Sequence, residues 1–138
     1  MHVTIDGFGG NPARLADVAL VRNLLDRYPD EIGMTKISEP FAFEYRGDKP
    51  EDWGVSGFVL IAESHIAIHT FPEHQQVWVD IFSCKGFEDL PAIDRIVEVF
   101  ELEDTRVNRL ERGLEYPHDA AASLPLNRRE RREVTPVG

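Results

Sequence analysis

Glu63 and Ser64 end an apolar run, Gly57-Phe58-Val59-Leu60-Ile61-Ala62, and lead into His65, His69 and Glu73, with Cys84 shortly after. A serine hydroxyl beside a strained peptide bond can attack the carbonyl that precedes it and turn the amide into an ester. Removal of the proton on Cα then eliminates the ester and leaves dehydroalanine. Hydrolysis of that group would give a pyruvoyl ketone at the start of residues 64–138 and a separate chain, residues 1–63, ending in Glu63. Such a ketone forms a Schiff base with an amine and withdraws electrons from the substrate carbon, as pyridoxal phosphate does.

Each of these residues also has a plainer reading. Propensity alone makes Ser64 a turn serine between two strands. His69 alone reads as a satisfied sheet histidine, Cys84 as a small buried apolar residue, and Glu73 beside Pro72 as a solvated turn. Their occurrence together is what favours chemistry. His65 and His69 are four apart and would suggest zinc on a helix, but Ile66 and Ile68 alternate with them as in a strand. Strand rise then sets the two rings about 13 Å apart on one face, so no metal is expected. The same rise puts His69 about 16 Å from its own Ser64, beyond the reach of proton transfer, and a second copy of the chain is expected to supply it.

The elements that must hold these groups follow from the pattern of apolar residues. His2–Phe8 alternates and meets Gly9-Gly10, a first strand ending in a tight turn; Asn11-Pro12 then caps an amphipathic helix over 12–28 that stops near Pro29. Met34–Tyr45 carries Ile37, Phe41, Phe43 and Tyr45 on one parity as a second strand, with Pro40 marking an edge or a break, and 46–54 is a polar loop. Val55–Ala62 is apolar on both faces and central, His65–Phe71 and Gln76–Ser83 alternate, and Leu90, Ile93, Ile96, Val97 and Phe100 form the stripe of a second helix. Thr105–Glu111 is the last strand. Strand, helix, several strands, helix, strand predicts an α+β two-layer sandwich: a largely antiparallel sheet with helices on one face. Residues 1–116 read as a single domain, and the prolines and Arg128-Arg129-Glu130-Arg131-Arg132 of 117–138 as a flexible tail.

Composition limits the partners. The chain has 138 residues, 42% hydrophobic and 29% charged, enough for a single core. A formal charge of −10 disfavours nucleic acid and suits a cationic small molecule. The longest apolar run is far short of the roughly 20 residues of a membrane span, and no basic signal region opens the chain, so a cytoplasmic protein without a membrane partner is expected. Cys84 is the only cysteine, which excludes an intrachain disulfide.

Gly54-Val55-Ser56-Gly57, the apolar strand, Glu63-Ser64-His65, Ile68-His69-Thr70, Phe71-Pro72-Glu73 and Asp80-Ile81-Phe82-Ser83-Cys84 occur in one order and spacing. Together they resemble the prokaryotic S-adenosylmethionine decarboxylase family over roughly residues 2–115. The resemblance implies a self-cleaving proenzyme whose Ser64 becomes the pyruvoyl cofactor after scission at Glu63–Ser64, and which decarboxylates S-adenosylmethionine to the aminopropyl donor of spermidine synthesis. It implies that His69 promotes ester elimination, Ser56 hydrogen-bonds the processing intermediate, Cys84 protonates the substrate carbon and Glu73 holds the ribose hydroxyls. Residue types agree: histidine titrates near neutrality, a thiol is a serviceable acid, and a carboxylate accepts paired hydroxyl hydrogens. It also implies a homodimer in which Glu63, Ser64 and Cys84 of one protomer meet Ser56, His69 and Glu73 of the other. Phe43 or Tyr45, with Phe8 from the partner end of the site, would stack on adenine.

The chain departs from the family pattern in three places. Phe71 stands where tryptophan is usual, Lys85 where glycine is common, and Phe41-Ala42-Phe43-Glu44-Tyr45 with a longer loop replaces a short Phe-His-x-Phe stretch. Two other readings stay open on the sequence: a decarboxylase of arginine or ornithine from the same pyruvoyl group, and an uncleaved paralogue that binds without catalysis.

Overall fold

The computed structural model describes residues 1–112, and the tail expected over 117–138 lies outside the described residues. Strand β1 spans His2–Phe8, followed by helices α1 (Pro12–Leu15) and α2 (Val18–Glu31). Then come β2 (Thr35–Lys36), β3 (Phe41–Arg46), β4 (Trp53–Ala62), β5 (Ser64–Phe71), a single 3-10 turn (Pro72–His74), β6 (Gln76–Ser83), α3 (Asp89–Phe100) and β7 (Asp104–Leu110). All pairings are antiparallel. The sheet runs β2-β4-β5-β6-β1-β7, with β3 also paired to β4. β4 therefore has β5 on one side and, on the other, β3 along its first part and β2 at its end.

Alternation decides which side of the sheet is dry. Val3 and Ile5, Val59 and Ile61, Ile66 and Ile68, and Val77, Val79 and Ile81 are buried and share one core with Val21, Leu25 and Tyr28 of α2 and Ala92, Ile96 and Phe100 of α3. Both helices cover this one face, and the Tyr28 hydroxyl joins them by donating to the Ala92 carbonyl at 2.5 Å. Thr70 is polar inside this core and fully used: its hydroxyl donates to the Leu15 carbonyl at 2.6 Å and accepts from the Val55 N–H at 2.9 Å. The expected α+β two-layer sandwich is thus the fold.

Several boundaries differ from the sequence reading. The helix expected over 12–28 is two helices, because Asn11 caps the first and the Asp17 side chain caps a new one by accepting from the Leu20 N–H at 3.1 Å. Pro29 does not stop α2, which runs on to Glu31; in the last turn a proline forfeits one backbone bond without interrupting a long ladder. The strand expected over 34–45 is broken into β2 and β3, with Pro40 in the gap, so the break expected there is found. Trp53 and Gly54, assigned to a loop by their polar neighbours, belong to β4.

Among the described residues, the opposite face of the sheet carries no helix. Phe41, Phe43, Tyr45, Phe58, Leu60, Trp78 and Leu110 are exposed there, each at least 40% accessible. Phe41 and Phe58 stack across β3 and β4 at 5.2 Å.

Candidate active site

The two glycines of Gly54-Val55-Ser56-Gly57 are required by close packing. A Cβ on Gly54 would lie 1.8 Å from the Thr70 carbonyl oxygen, and one on Gly57 would lie 2.7 Å from both the Phe41 carbonyl and Leu25. They let β4 approach its neighbours, so Ser56 between them projects at a fixed height above the open face.

The turn from β4 to β5 holds the Glu63–Ser64 bond, the one expected to react. Glu63 is the single residue between the strands, and Ser64 has φ +128°, a conformation that costs an L residue about 1–3 kcal/mol. The Glu63 carbonyl, the group a serine would attack, accepts a hydrogen bond from the Cys84 backbone N–H at 3.2 Å. That bond draws electron density from the carbonyl carbon and offers a donor to the negative charge that attack would place on its oxygen. Ser64 lies opposite Ser83 in register, so Cys84 follows directly, with its thiol half-buried and unbridged. The Ser64 hydroxyl and His65 Nδ1 are 3.1 Å apart.

The other catalytic candidates sit at the far end of β5. Ser56 and His69 face each other across β4 and β5, with Oγ to Nδ1 at 3.1 Å. They form one cross-strand row with Phe43 on β3 and Trp78 on β6. Glu73, in the 3-10 turn, accepts from the Trp53 indole N–H at 3.2 Å, and the Arg46 guanidinium lies 5.0 Å from the centre of the Trp53 ring. Around them opens a cleft of about 410 Å³ lined by Tyr45, Trp53, Ser56, His69, Phe71 and His74, together with Glu51 and Asp52. Phe8 is at the end of β1, on the row that starts at Phe71, and Arg106 covers its ring at 5.8 Å.

The structure therefore divides the sequence candidates into two groups. Glu63, Ser64 and Cys84 are together at one end of β5, and Ser56, His69, Tyr45, Phe43 and Glu73 at the other. At about 3.3 Å per residue, Ser64 and His69 are about 16 Å apart along the strand. Sequence reasoning missed Trp53 as a partner of Glu73, although its position just before the glycine motif was a signal. It also gave no role to His65. Among the described residues, no three His, Cys, Asp or Glu side chains converge to hold a metal ion.

The family model described as S-adenosylmethionine decarboxylase matches residues 1–113. The chain belongs to this family. An S-adenosylmethionine decarboxylase proenzyme from Archaeoglobus fulgidus is 34% identical over 113 residues, covering 81% of this chain and 96% of that one. One from Pyrococcus furiosus is 30% identical over 115 residues, 83% of this chain and 78% of that protein. The crystal structure of the adenosylmethionine decarboxylase from Aquifex aeolicus superposes with a TM-score of 0.66 at 31% identity, covering 81% of this chain and 88% of that chain. These S-adenosylmethionine decarboxylase relatives include proteins named as proenzymes.

Proposed function

We propose that this chain is a proenzyme that cuts itself between Glu63 and Ser64 and, as a cytoplasmic homodimer, decarboxylates S-adenosylmethionine for spermidine synthesis. The observation that carries the reading is the Glu63–Ser64 linkage itself, with its serine at positive φ and its carbonyl held by the Cys84 N–H. This is the local chemistry that making a pyruvoyl group from Ser64 requires. That group would supply a ketone that binds the substrate amine and accepts electrons as carbon dioxide leaves.

The remaining steps fall to side chains of two copies. Ser64 and Cys84 lack a nearby His69 within their own protomer, and the exposed face bearing Phe58, Leu60 and Trp78 is where a second copy would bury apolar area. A twofold arrangement places the Ser64 end of one β5 against the His69 end of the other, twice per dimer. In that arrangement His69 takes the Ser64 Cα proton during elimination, Ser56 holds the intermediate, and the Cys84 thiol returns a proton to the substrate carbon. Tyr45 and Phe71 of the cleft, with Phe43 opposite Ser56 on β3, offer flat apolar surfaces to adenine, and Glu73, oriented by Trp53, accepts from the ribose hydroxyls.

A second reading rests on Glu51 and Asp52, which line the same cleft and suit the cationic end of arginine or ornithine. Intact mass after expression and carbon dioxide release from S-adenosylmethionine, arginine and ornithine, measured side by side, decide the matter. Two fragments with release from S-adenosylmethionine alone are expected. A single full-length chain without a hydride-sensitive carbonyl would mean an uncleaved binding protein instead.

A further inference from the structure

We propose that His65 is the base that starts the self-cleavage, acting within the same protomer on the serine beside it. The inference rests on the self-cleaving reading above and assigns a catalytic residue to its first step. The Ser64 hydroxyl is 3.1 Å from His65 Nδ1, and no other imidazole among the hydrogen bonds of the described residues reaches it. His69 of the same chain bonds Ser56 instead, about 16 Å away by strand rise.

The surroundings hold the ring in place. Leu60, His65, Phe82 and His2 form a single cross-strand row on the open face. The His65 ring meets Phe82 edge-on, with centroids 6.0 Å apart and planes at 72°. Phe82 is in turn fixed by His2 at 5.6 Å and by the Arg112 guanidinium 4.2 Å from its centre. With its proton on Nε2, His65 presents the Nδ1 lone pair to Ser64. In a regular strand, neighbouring side chains point to opposite faces and this contact would not form. The positive φ at Ser64 is what turns the hydroxyl towards the ring.

The step balances without any other reactant. His65 Nδ1 takes the Ser64 hydroxyl proton while Oγ forms a bond to the Glu63 carbonyl carbon, whose oxygen is held by the Cys84 N–H. The bond from that carbon to the Ser64 nitrogen then breaks, and His65 delivers the same proton to the departing amine. The ester is formed and His65 is neutral again. Labour is thus divided between two histidines: His65 handles the hydroxyl proton in its own chain, and His69 of the partner subunit handles the Cα proton.

Hydroxylamine separates the two steps, because it splits an ester at Glu63–Ser64 but leaves the amide intact. His69→Ala is expected to stall as the ester and to be cut by hydroxylamine. His65→Ala is expected to stay full-length and resistant, with self-cleavage slowed about 100-fold or more, the range for loss of a general base. His65→Phe keeps a ring against Phe82 and removes only the nitrogens, so it should behave as His65→Ala while unfolding at the wild-type temperature. If either variant cleaves at the wild-type rate, or gathers a hydroxylamine-labile ester, His65 is not the base. Wild-type protein that never cleaves would instead overturn the proenzyme reading, so the two failures are distinct.

Discussion

At the scale of single residues, the roles proposed for Ser64 and Cys84 come apart under substitution. Ser64→Ala is expected to remain one chain, since no hydroxyl attacks Glu63. Cys84→Ala keeps the backbone N–H that holds the Glu63 carbonyl and should cleave fully, yet its turnover should fall about 100-fold or more for want of an acid. Mass spectrometry and carbon dioxide release on the same samples check both. Trp53→Phe removes the indole donor to Glu73 and should raise KM about fivefold with little change in kcat, the effect of one hydrogen bond worth about 1 kcal/mol. The grouping of Glu63, Ser64 and Cys84 was legible because these residue types are unusual in combination. The His65 contact was not, since alternation places neighbours on opposite faces and only the irregular backbone at Ser64 defeats that rule. Trp53 was hidden by the polar stretch from Arg46 to Asp52, which reads as loop until pairing with Arg46 on β3 shows that β4 has already begun.

At the scale of elements, the helical layer is held to the sheet by burial and to itself by Tyr28. Burial raises the Tyr28 hydroxyl far above its usual pKa, helped by Glu31 and opposed by Arg95. A raised folded-state pKa means that its contribution is complete below about pH 10, the unfolded value, and is lost as pH climbs towards the folded one. Tyr28→Phe is expected to cost about 1–2 kcal/mol at pH 7 by leaving the Ala92 carbonyl without its donor. Denaturant melts should show this gap narrowing above about pH 10, because phenylalanine cannot ionise. A gap that widens there would contradict the assignment. Most strands and both long helices were legible from periodicity. The split between α1 and α2 was not, as Leu15, Val18 and Val21 or Arg22 keep helical spacing across a capping aspartate. Nor was it legible that Phe43 and Tyr45 face away from the helices, because alternation marks two faces without saying which is covered.

At the scale of the whole molecule, the decisive question is whether one protomer contains a complete site. Ser64 with Cys84 and Ser56 with His69 lie at opposite ends of an eight-residue strand, and the exposed apolar face runs between them. Phe41→Glu with Phe58→Glu puts two charges on that face without touching the core or the residues beside Ser64 and His65, so the proposed dimer is expected to separate into folded monomers that stop cleaving. Sedimentation and intact mass test this together. Complementation is the sharper measurement. Ser64→Ala has no nucleophile but intact Ser56 and His69; His69→Ala has the reverse. Neither alone should yield a hydride-sensitive carbonyl. In the proposed twofold pairing, a mixed dimer would hold one site whose Ser64 and His69 are both wild type and one that lacks both. Co-expression should therefore restore processing, only in the His69→Ala chain and in about half of its copies, the share found in mixed dimers when equal amounts of the two chains pair at random. Recovery in neither chain would place His69 and Ser64 in a site formed by one protomer, which the extended course of β5 makes too long to close.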